Sequence, residues 1–238
     1  MTSIKYIKEM FILQQKLNDE TNGIGWEHGY TKNNRMINWK RCIYMESAEL
    51  IESFSWKHWK NINKATDWEN ATLEIVDIWH FVMSLVLEDY KVNERGDIDK
   101  LVNDIIDVHG FGRFTKEAYK VGSTPQMEII NDIESIINLT TSFKLDIFDG
   151  LLKEFFSLSL KCGVNLKTLY KFYVAKNVLN EFRQNNGYQE GTYRKTWDSK
   201  EDNEVLLNIL NKNMLDPKKL YKELDKIYNY TETMKAKK

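Results

Sequence analysis

Proline and glycine are scarce in this chain of 238 residues, which contains 2 prolines and 11 glycines. Turns and strand boundaries draw heavily on these two residue types, so few positions are available to punctuate short strands. The scarcity therefore favours long helices over a sheet-rich fold. Hydrophobic residues make up 42% of the chain, which excludes global disorder and is enough to build a sizeable core.

Cysteine is also rare, since the chain has only Cys42 and Cys162, which lie far apart and form no CxxC pair. A disulfide framework is excluded, and a reduced, cytoplasmic protein is expected. The first ten residues, MTSIKYIKEM, lack the apolar centre of a signal peptide. The longest apolar run, at 73–87, is too short and too acidic for a membrane span, so no membrane partner is expected.

Positive and negative charges nearly balance, because the formal net charge is -1 at pH 7. No global basic field exists for coating nucleic acid, and we expect no nucleic-acid partner. The charge is nevertheless uneven along the chain. Residues 41–90 hold nine acids and four basic residues, whereas residues 171–200 hold six basic residues and three acids. The first segment suits cations and the second suits anions.

Helical spacing of apolar residues dominates the sequence, and no strand pattern of useful length is present. Thr66 or Asp67 could cap the helix that starts near residue 69. Residues 91–128 lack a clear period and predict a loop-rich insert with a short helix near 98–107. The sequence predicts one all-α helical bundle over residues 1–238. Its longer helices are expected at 4–19, 38–56, 69–90, 127–142, 147–162, 166–184, 202–213 and 217–230.

Polar residues interrupt the apolar run LEIVDIWHFVMSLVL at 73–87, where Glu74, Asp77 and His80 are each three residues apart. On a helix they form one narrow stripe, and a helix that is apolar nearly all round is buried. Buried carboxylates without a positive partner are very costly. The partner is either a lysine or arginine from another helix or a metal ion.

A second acidic pair, Glu46 and Glu49, has the same spacing on the preceding helix. Two such helices packed together would gather four carboxylates, which are the oxygen ligands that hard divalent cations prefer. A di-iron site would need a Glu-x-x-His pair on each of two helices, whereas only Asp77 and His80 resemble one. The oxygen ligands favour magnesium or manganese. His80 would then either contact a substrate or serve as an ordinary core residue.

Basic and amide side chains cluster in the segment 176–203. Because Lys176, Asn180 and Arg183 are four and three residues apart, they share one helix face. Arginine and lysine suit phosphate oxygens, although a solvated helix end followed by a surface loop has the same pattern. A magnesium site and a phosphate site together indicate a di- or triphosphate substrate, and no P-loop sequence is present. Further donors follow along the chain: Asn186, Tyr188, Lys195 and Asn203.

These segments resemble the dimeric dUTPases, which are all-α NTP pyrophosphohydrolases with ExxE on one helix and ExxD on the next. The resemblance rests on MESAELIESFSWKHWKN at 45–61, LEIVDIWHF at 73–81 and KNVLNEFRQNNGYQEGTYRKTW at 176–197 with EDN at 201–203. The acidic signature is shared by relatives that act on other nucleotides. The basic segment is more specific to dUTPases, and the resemblance is weakest at about 91–128.

The resemblance implies a homodimer that acts on deoxyuridine nucleotides. It also implies a Mg²⁺ cofactor with more than one bound ion, which Mn²⁺ could replace. Uracil would be read by Gln14 and Asn18 and flanked by Trp56 and His80, with Asp77 or Asn203 near the sugar hydroxyl. The metal ligands would be Glu46, Glu49, Glu74 and Asp77. The phosphate-binding residues would be Lys176, Asn180, Arg183, Tyr188 and Lys195, in a loop that also holds Asn186.

The implied reaction is hydrolysis of dUTP to dUMP and pyrophosphate, and of dUDP to dUMP and phosphate. A metal-activated water would attack the α-phosphorus, with Glu46 or Glu49 positioning or deprotonating that water. Two alternatives stay open. One is a related pyrophosphohydrolase with another base preference, such as dCTP. The other is a helical interaction module without enzymatic activity, in which the acids pair with lysine or arginine.

Overall fold

The computed structural model of the chain describes residues 2–116, 119–212 and 216–235. Its internal contacts divide the chain into two compact units, Met1–Tyr170 and Lys171–Lys238. Within the described residues the fold is all-α, as predicted, and its strands are two residues long. That the whole chain acts as one domain stays a prediction.

The first unit is built from helices on either side of the long helix α3. Helix α2 packs against α3 and α6, and α1 packs against α3 and α4. The elements of this unit are α1 (Thr2–Asn22), a 3₁₀ turn (Trp26–His28), α2 (Trp39–Glu52), α3 (Trp68–Val92), α4 (Ile98–Ile106), α5 (Phe111–Lys116), α6 (Gln126–Thr141), a π-helical turn (Ile147–Leu152), α7 (Lys153–Lys161) and the start of α8 (Leu166–Asn185).

Side-chain caps fix where the two acidic helices begin. Oδ1 of Asn38 accepts a hydrogen bond from the backbone N–H of Arg41 at 2.9 Å, at the start of α2. Oδ1 of Asp67 accepts one from the N–H of Asn70 at 3.0 Å, which confirms Asp67 as the cap of α3. Such caps satisfy amide groups that have no partner inside the helix. The register of the acidic residues is therefore set at both helix starts.

Helix α3 is buried along most of its length, as its apolar sequence requires. The ring of Trp79 stacks on Phe155 with centroids 5.0 Å apart and meets Phe11 edge-on at 6.0 Å. Among the described residues, α3 is the one helix long and apolar enough to cross a membrane by length and composition alone, but 78% of its most apolar window is buried within the protein. Core helices commonly meet that criterion.

The segment 91–128 is more helical than its sequence suggests. The predicted short helix is confirmed as α4, Ile98–Ile106, and a second short helix, α5, follows at Phe111–Lys116. Phe111 and Phe114 of α5 pack on Phe156 with centroids 5.6 and 4.8 Å apart. Gly110 directly before this helix and Gly112 inside it conceal it at the sequence level, and aromatic packing on α7 accounts for it.

The second unit contains the rest of α8, a two-stranded hairpin of β1 (Thr196–Trp197) and β2 (Lys200–Glu201), α9 (Asp202–Leu210) and α10 (Pro217–Lys235). The hairpin turns at Asp198 and Ser199, whose φ values are 49° and 68°. Positive φ at both central residues is the geometry that matches the twist of a tight hairpin. The core of this unit gathers aromatic rings around Phe182, with Trp197 at 5.7 Å and Tyr228 at 5.4 Å.

Candidate active site

Three carboxylates from two helices meet in the first unit. Glu46 of α2 and Glu74 and Asp77 of α3 each offer one oxygen, and these oxygens all lie within 4.8 Å of one another. Glu74 is buried at 7% exposure, whereas Glu46 and Asp77 are half-buried. The pairing of α2 with α3, which the two acidic sequence pairs predicted, brings these groups together.

The size and chemistry of this cluster fit a hard divalent cation. Oxygens on opposite sides of one ion lie about two bond lengths apart, which is about 4.1 Å for magnesium and about 4.6–5.2 Å for calcium. Oxygens that all lie within 4.8 Å of one another are close enough to share one such ion. All donors are carboxylate oxygens, which suits magnesium or manganese better than softer metals.

Glu49 and Glu52 lie outside this group of three. Both are exposed on α2, and Glu52 forms an ion pair with Lys57. Glu52 is thus an exposed, solvated residue whose partner is a lysine. The metal and catalytic roles of Glu49 stay predictions, since the three-carboxylate cluster within the described chain forms without it.

A buried polar network joins α1 to α3 at the next turn of the acidic stripe. Nδ1 of His80 lies 2.7 Å from Oε1 of Gln14. Nε2 of Gln14 donates to Oδ1 of Asn18 at 3.0 Å and to Oγ of Ser84 at 3.1 Å. All four side chains are at most 4% exposed. The structure thus brings Gln14, Asn18 and His80 into one buried cluster, and their roles beside a base stay predictions.

Ser84 completes this network and was not among the predicted site residues. Its hydroxyl accepts from Nδ2 of Asn18 at 3.0 Å and donates to the backbone carbonyl of His80 at 2.9 Å. The sequence signal for it is its position on the same stripe as Glu74, Asp77 and His80. Ser84 sets which way the two amides point, because its oxygen accepts an N–H from each of them.

Trp56, the other residue predicted to flank the base, is also part of the first unit. It lies on the loop between α2 and α3 and is 38% exposed. Its ring meets Trp59 edge-on at 5.3 Å, and Nζ of Lys57 lies 5.4 Å from its centroid. An exposed aromatic surface is available there for stacking, and its role beside a base stays a prediction.

Arg183 is the centre of the basic segment in the second unit. Its Nε donates to Oδ2 of Asp202 at 2.8 Å, and its Nη2 donates to Oδ1 of the same carboxylate at 2.8 Å. Burial raises the pKa of the fully buried Asp202 carboxyl, but the Arg183 guanidinium more than offsets this and holds that pKa below its usual value. The pair is therefore charged on both sides.

Lys176 and Asn180 lie on the same face of α8 as Arg183, as predicted. Nζ of Lys176 donates to Oδ1 of Asn203 at 2.8 Å, and Nη2 of Arg183 donates to the same oxygen at 3.3 Å. Nη1 of Arg183 also donates to Oδ1 of Asn180 at 3.3 Å. The structure thus brings Lys176, Asn180, Arg183 and Asn203 together within the second unit.

The remaining residues of the predicted phosphate loop lie further out. Tyr188 is 46% exposed, and the Arg183 guanidinium lies 5.7 Å from its ring centroid. Nδ2 of Asn186 donates to the carbonyl of Phe182 at 2.8 Å, which ties this amide to the end of α8. Lys195 is exposed and pairs with Glu201 at 3.4 Å. The Asn186 side chain is thus held by a backbone carbonyl, whereas that of Lys195 is paired with an acid.

Sequence reasoning missed Asp202 and Tyr193. The Tyr193 hydroxyl donates to Oδ2 of Asp202 at 2.8 Å, beside the Arg183 contact. Burial and the Asp202 carboxylate raise the pKa of Tyr193 far above its usual value, so it remains a donor. The signal was present in EDN at 201–203, where an acid directly precedes the predicted Asn203.

The helical fold and the carboxylate cluster define an all-α protein with a candidate site for a divalent cation. A family model described as dUTPase matches residues 6–188 of the chain. The match spans well over half of the sequence, so the chain belongs to the dUTPase family and is an enzyme that hydrolyses dUTP. No curated protein matches the sequence. The matched region contains the acidic cluster and the amide network, and it ends before Lys195, Asp202 and Asn203.

Proposed function

We propose that this enzyme is a magnesium-dependent dUTPase that converts dUTP to dUMP and pyrophosphate, and dUDP to dUMP and phosphate. The observation that carries the proposal is the meeting of Glu46, Glu74 and Asp77 within 4.8 Å, inside the region that matches the family. Deoxyuridine nucleotides are the substrates that family membership supports.

The three carboxylates would hold the metal, and Glu49 would add a fourth acid where more than one ion binds. Bound magnesium would neutralise phosphate charge and lower the pKa of a coordinated water, and manganese accepts the same ligands. Glu74 and Asp77 project from one buried helix, so their positions are fixed by the core. That rigidity favours a preorganised site.

Hydrolysis at the α-phosphorus would consume one water. The water oxygen bonds to phosphorus, the bond to the bridging oxygen toward the β-phosphorus breaks, and pyrophosphate leaves. Glu46 or Glu49 would accept the proton that the water loses. Lys176 and Arg183 would bind phosphate oxygens, and charge-assisted hydrogen bonds of this kind are among the strongest in proteins.

Base selection would rest on the buried amides of Gln14 and Asn18. An amide both donates and accepts, which is the pattern that the imide edge of uracil requires. Their hydrogen-bond partners His80 and Ser84 hold both amides in one orientation. His80 and Trp56 would flank the base.

The decisive experiment is a screen of the deoxynucleoside di- and triphosphates with magnesium, with products read by phosphorus NMR. We expect dUTP to give dUMP and pyrophosphate, and water labelled with heavy oxygen to place its label on dUMP. Release of dUDP and phosphate would contradict attack at the α-phosphorus. Faster hydrolysis of dCTP would contradict the base assignment, and the absence of magnesium binding would favour an interaction module.

Two further properties are proposed: a homodimeric state, which the family resemblance implies, and a cytoplasmic location, which the cysteine usage favours. The free thiols of Cys42 and Cys162 accord with a reducing compartment. Sedimentation at micromolar concentration tests the first property, and a purely monomeric protein would contradict it. Imaging of a tagged chain in its native cell tests the second.

A further inference from the structure

One short segment of the second unit accepts hydrogen bonds from two cationic side chains, those of Lys176 and Arg183. This segment is the start of α9, where Asp202 and Asn203 follow directly after the hairpin. Asp202 forms a two-bond pair with Arg183, with both distances 2.8 Å. Asn203 accepts from both Lys176 and Arg183, at 2.8 and 3.3 Å.

We propose that Asp202 is a positioning residue for triphosphate binding. It acts by fixing the plane of the Arg183 guanidinium. The inference rests on the proposed function, because it takes Arg183 as a ligand of the phosphates. A side-on pair through Nε and Nη2 occupies one edge of the guanidinium. Two hydrogen bonds to one carboxylate therefore fix the orientation of the guanidinium plane. Asp202 itself touches no substrate.

The burial of Asp202 is what makes this role more than an ordinary surface pair. Its side chain is fully buried, and that of Arg183 is 11% exposed. A pair this deep forgoes much hydration, so replacement by apolar residues would often be as stable. The need to hold the Arg183 guanidinium in one orientation gives a reason for an ion pair at this position.

Tyr193 supports the same carboxylate from another side. Its hydroxyl donates to Oδ2 of Asp202 at 2.8 Å, and its ring stacks on Tyr228 with centroids 5.5 Å apart. The backbone N–H of Asp202 also donates to the carbonyl of Lys195 at 2.9 Å. The carboxylate is thus anchored by an aromatic core and by the hairpin before it acts on Arg183.

The arrangement gives the hairpin and α9 a role, although both lie beyond the region matched by the family model. The hairpin places Asp202 at the first residue of α9, and the turn at Asp198 and Ser199 sets its direction. Residues after position 188 would thus orient Arg183, which lies within the matched region.

The test measures phosphate binding separately from nucleoside binding. Calorimetry with magnesium is carried out on the full chain, using inorganic pyrophosphate as one probe and deoxyuridine as the other. In Asp202→Asn the new amide turns a donor toward the guanidinium, so we expect the Kd for pyrophosphate to rise by about tenfold or more. The Kd for deoxyuridine should stay unchanged.

The matched control is Glu204→Gln, which removes a charge from the same turn of α9. Glu204 is exposed and pairs with Lys200 at 3.5 Å, so both Kd values should match the wild type. Tyr193→Phe removes one hydrogen bond to Asp202 and should raise the Kd for pyrophosphate by about threefold. This milder variant keeps the inference testable if Asp202→Asn folds poorly.

A double-mutant cycle decides whether Asp202 acts through Arg183. If it does, adding Asp202→Asn to Arg183→Gln leaves the Kd for pyrophosphate where Arg183→Gln alone put it. Additive losses, or equal losses for pyrophosphate and deoxyuridine, would overturn the inference and assign Asp202 a purely structural role. Failure of the wild type to release pyrophosphate from dUTP would instead overturn the proposed function, independently of these binding results.

Discussion

Nδ1 of His80 and Oε1 of Gln14 lie 2.7 Å apart in the interior of the first unit. Since an amide oxygen only accepts hydrogen bonds, Nδ1 of His80 carries the hydrogen in this pair. The other end of the Gln14 amide donates to Asn18 and Ser84, which fixes its orientation. The amides that the proposal assigns to uracil are therefore held in place before any ligand arrives.

We expect Gln14→Ala or Asn18→Ala to reduce the preference for dUTP over dCTP by about tenfold or more. A site that hydrogen-bonds one base edge rejects the other because its own buried groups would go unpaired. The measurement is kcat/KM for both nucleotides in each variant.

Gln15→Ala is the matched control, because its amide is on the same helix but bonds to Asp19 and Glu27 instead. It should retain the wild-type preference. If all three variants discriminate equally well, the amides of Gln14 and Asn18 serve only the packing of α1 on α3.

Asp77→Asn should abolish most activity and weaken stabilisation by magnesium. An ion that binds only the folded state stabilises it by about 2.7 kcal/mol at 100 times its Kd. For a chain of this size that is a rise in Tm of about 5–11 °C. The variant retains two of the three clustered carboxylates, so its gain from magnesium should be clearly smaller.

Thermal melts with and without magnesium measure this difference. Glu69→Gln provides the control, since Glu69 is an exposed acid at the start of the same helix. Its gain should equal that of the wild type. An undiminished gain in Asp77→Asn would mean that the ion binds elsewhere.

Gly187→Ala should destabilise the loop after α8 more than Gly191→Ala does. Both glycines have positive φ, at 86° and 72°, so either substitution incurs a backbone cost of about 1–3 kcal/mol. At Gly187, however, an added Cβ would lie 2.0 Å from Oγ1 of Thr192, whereas nothing lies within 4 Å of one at Gly191.

Urea unfolding of the two variants isolates the steric part of the cost, because the backbone part is similar in both. Adding Thr192→Ser to Gly187→Ala should not remove the clash, since the hydroxyl is retained, whereas Thr192→Ala should relieve it. Equal stability of the two single variants would show that the loop shifts freely around Gly187.

Glu88→Gln should change how stability depends on pH. Burial, and secondarily the neighbouring Asp89 carboxylate, raise the pKa of Glu88 to about 7 from 4.5. A carboxyl whose folded pKa is raised contributes stability below its unfolded pKa, and this is lost as pH rises through the folded value. The wild type should thus lose stability relative to the variant between pH 4.5 and 7.

The measurement is the Tm of both proteins at several pH values across that window. Glu134→Gln, which changes an exposed acid on α6, should track the wild type throughout. A constant difference between Glu88→Gln and the wild type would show that Glu88 ionises normally.

The acidic part of the candidate site was predictable because its physical basis is local. Glu46, Glu74 and Asp77 are spaced by one helical turn or lie on adjacent helices, and the cost of burying acids required a common partner. Asp67 as a cap was predictable for the same reason. The positions of most long helices followed from apolar spacing, which requires only the near sequence.

Contacts between residues far apart in the chain were decided by the tertiary structure. Nothing in the spacing of Arg183 and Asp202, nineteen residues apart, indicates a two-bond pair, because a hairpin and a helix start must first fold between them. The helix at Phe111–Lys116 likewise depends on Phe156. Packing of that kind overrides local propensity.

The sequence by itself determined the helical class, the acidic pairs and the family resemblance, since each is encoded in periodicity or in contiguous residues. Only the tertiary structure decided that Ser84 orients the Gln14 and Asn18 amides and that Asp202 holds Arg183. The physical reason is that hydrogen bonds act over about 3 Å in space, whatever the separation along the chain. Chain spacing predicts such contacts within one helix, where the geometry is fixed. Across a loop it predicted that the two acidic helices pair, but no individual hydrogen bond.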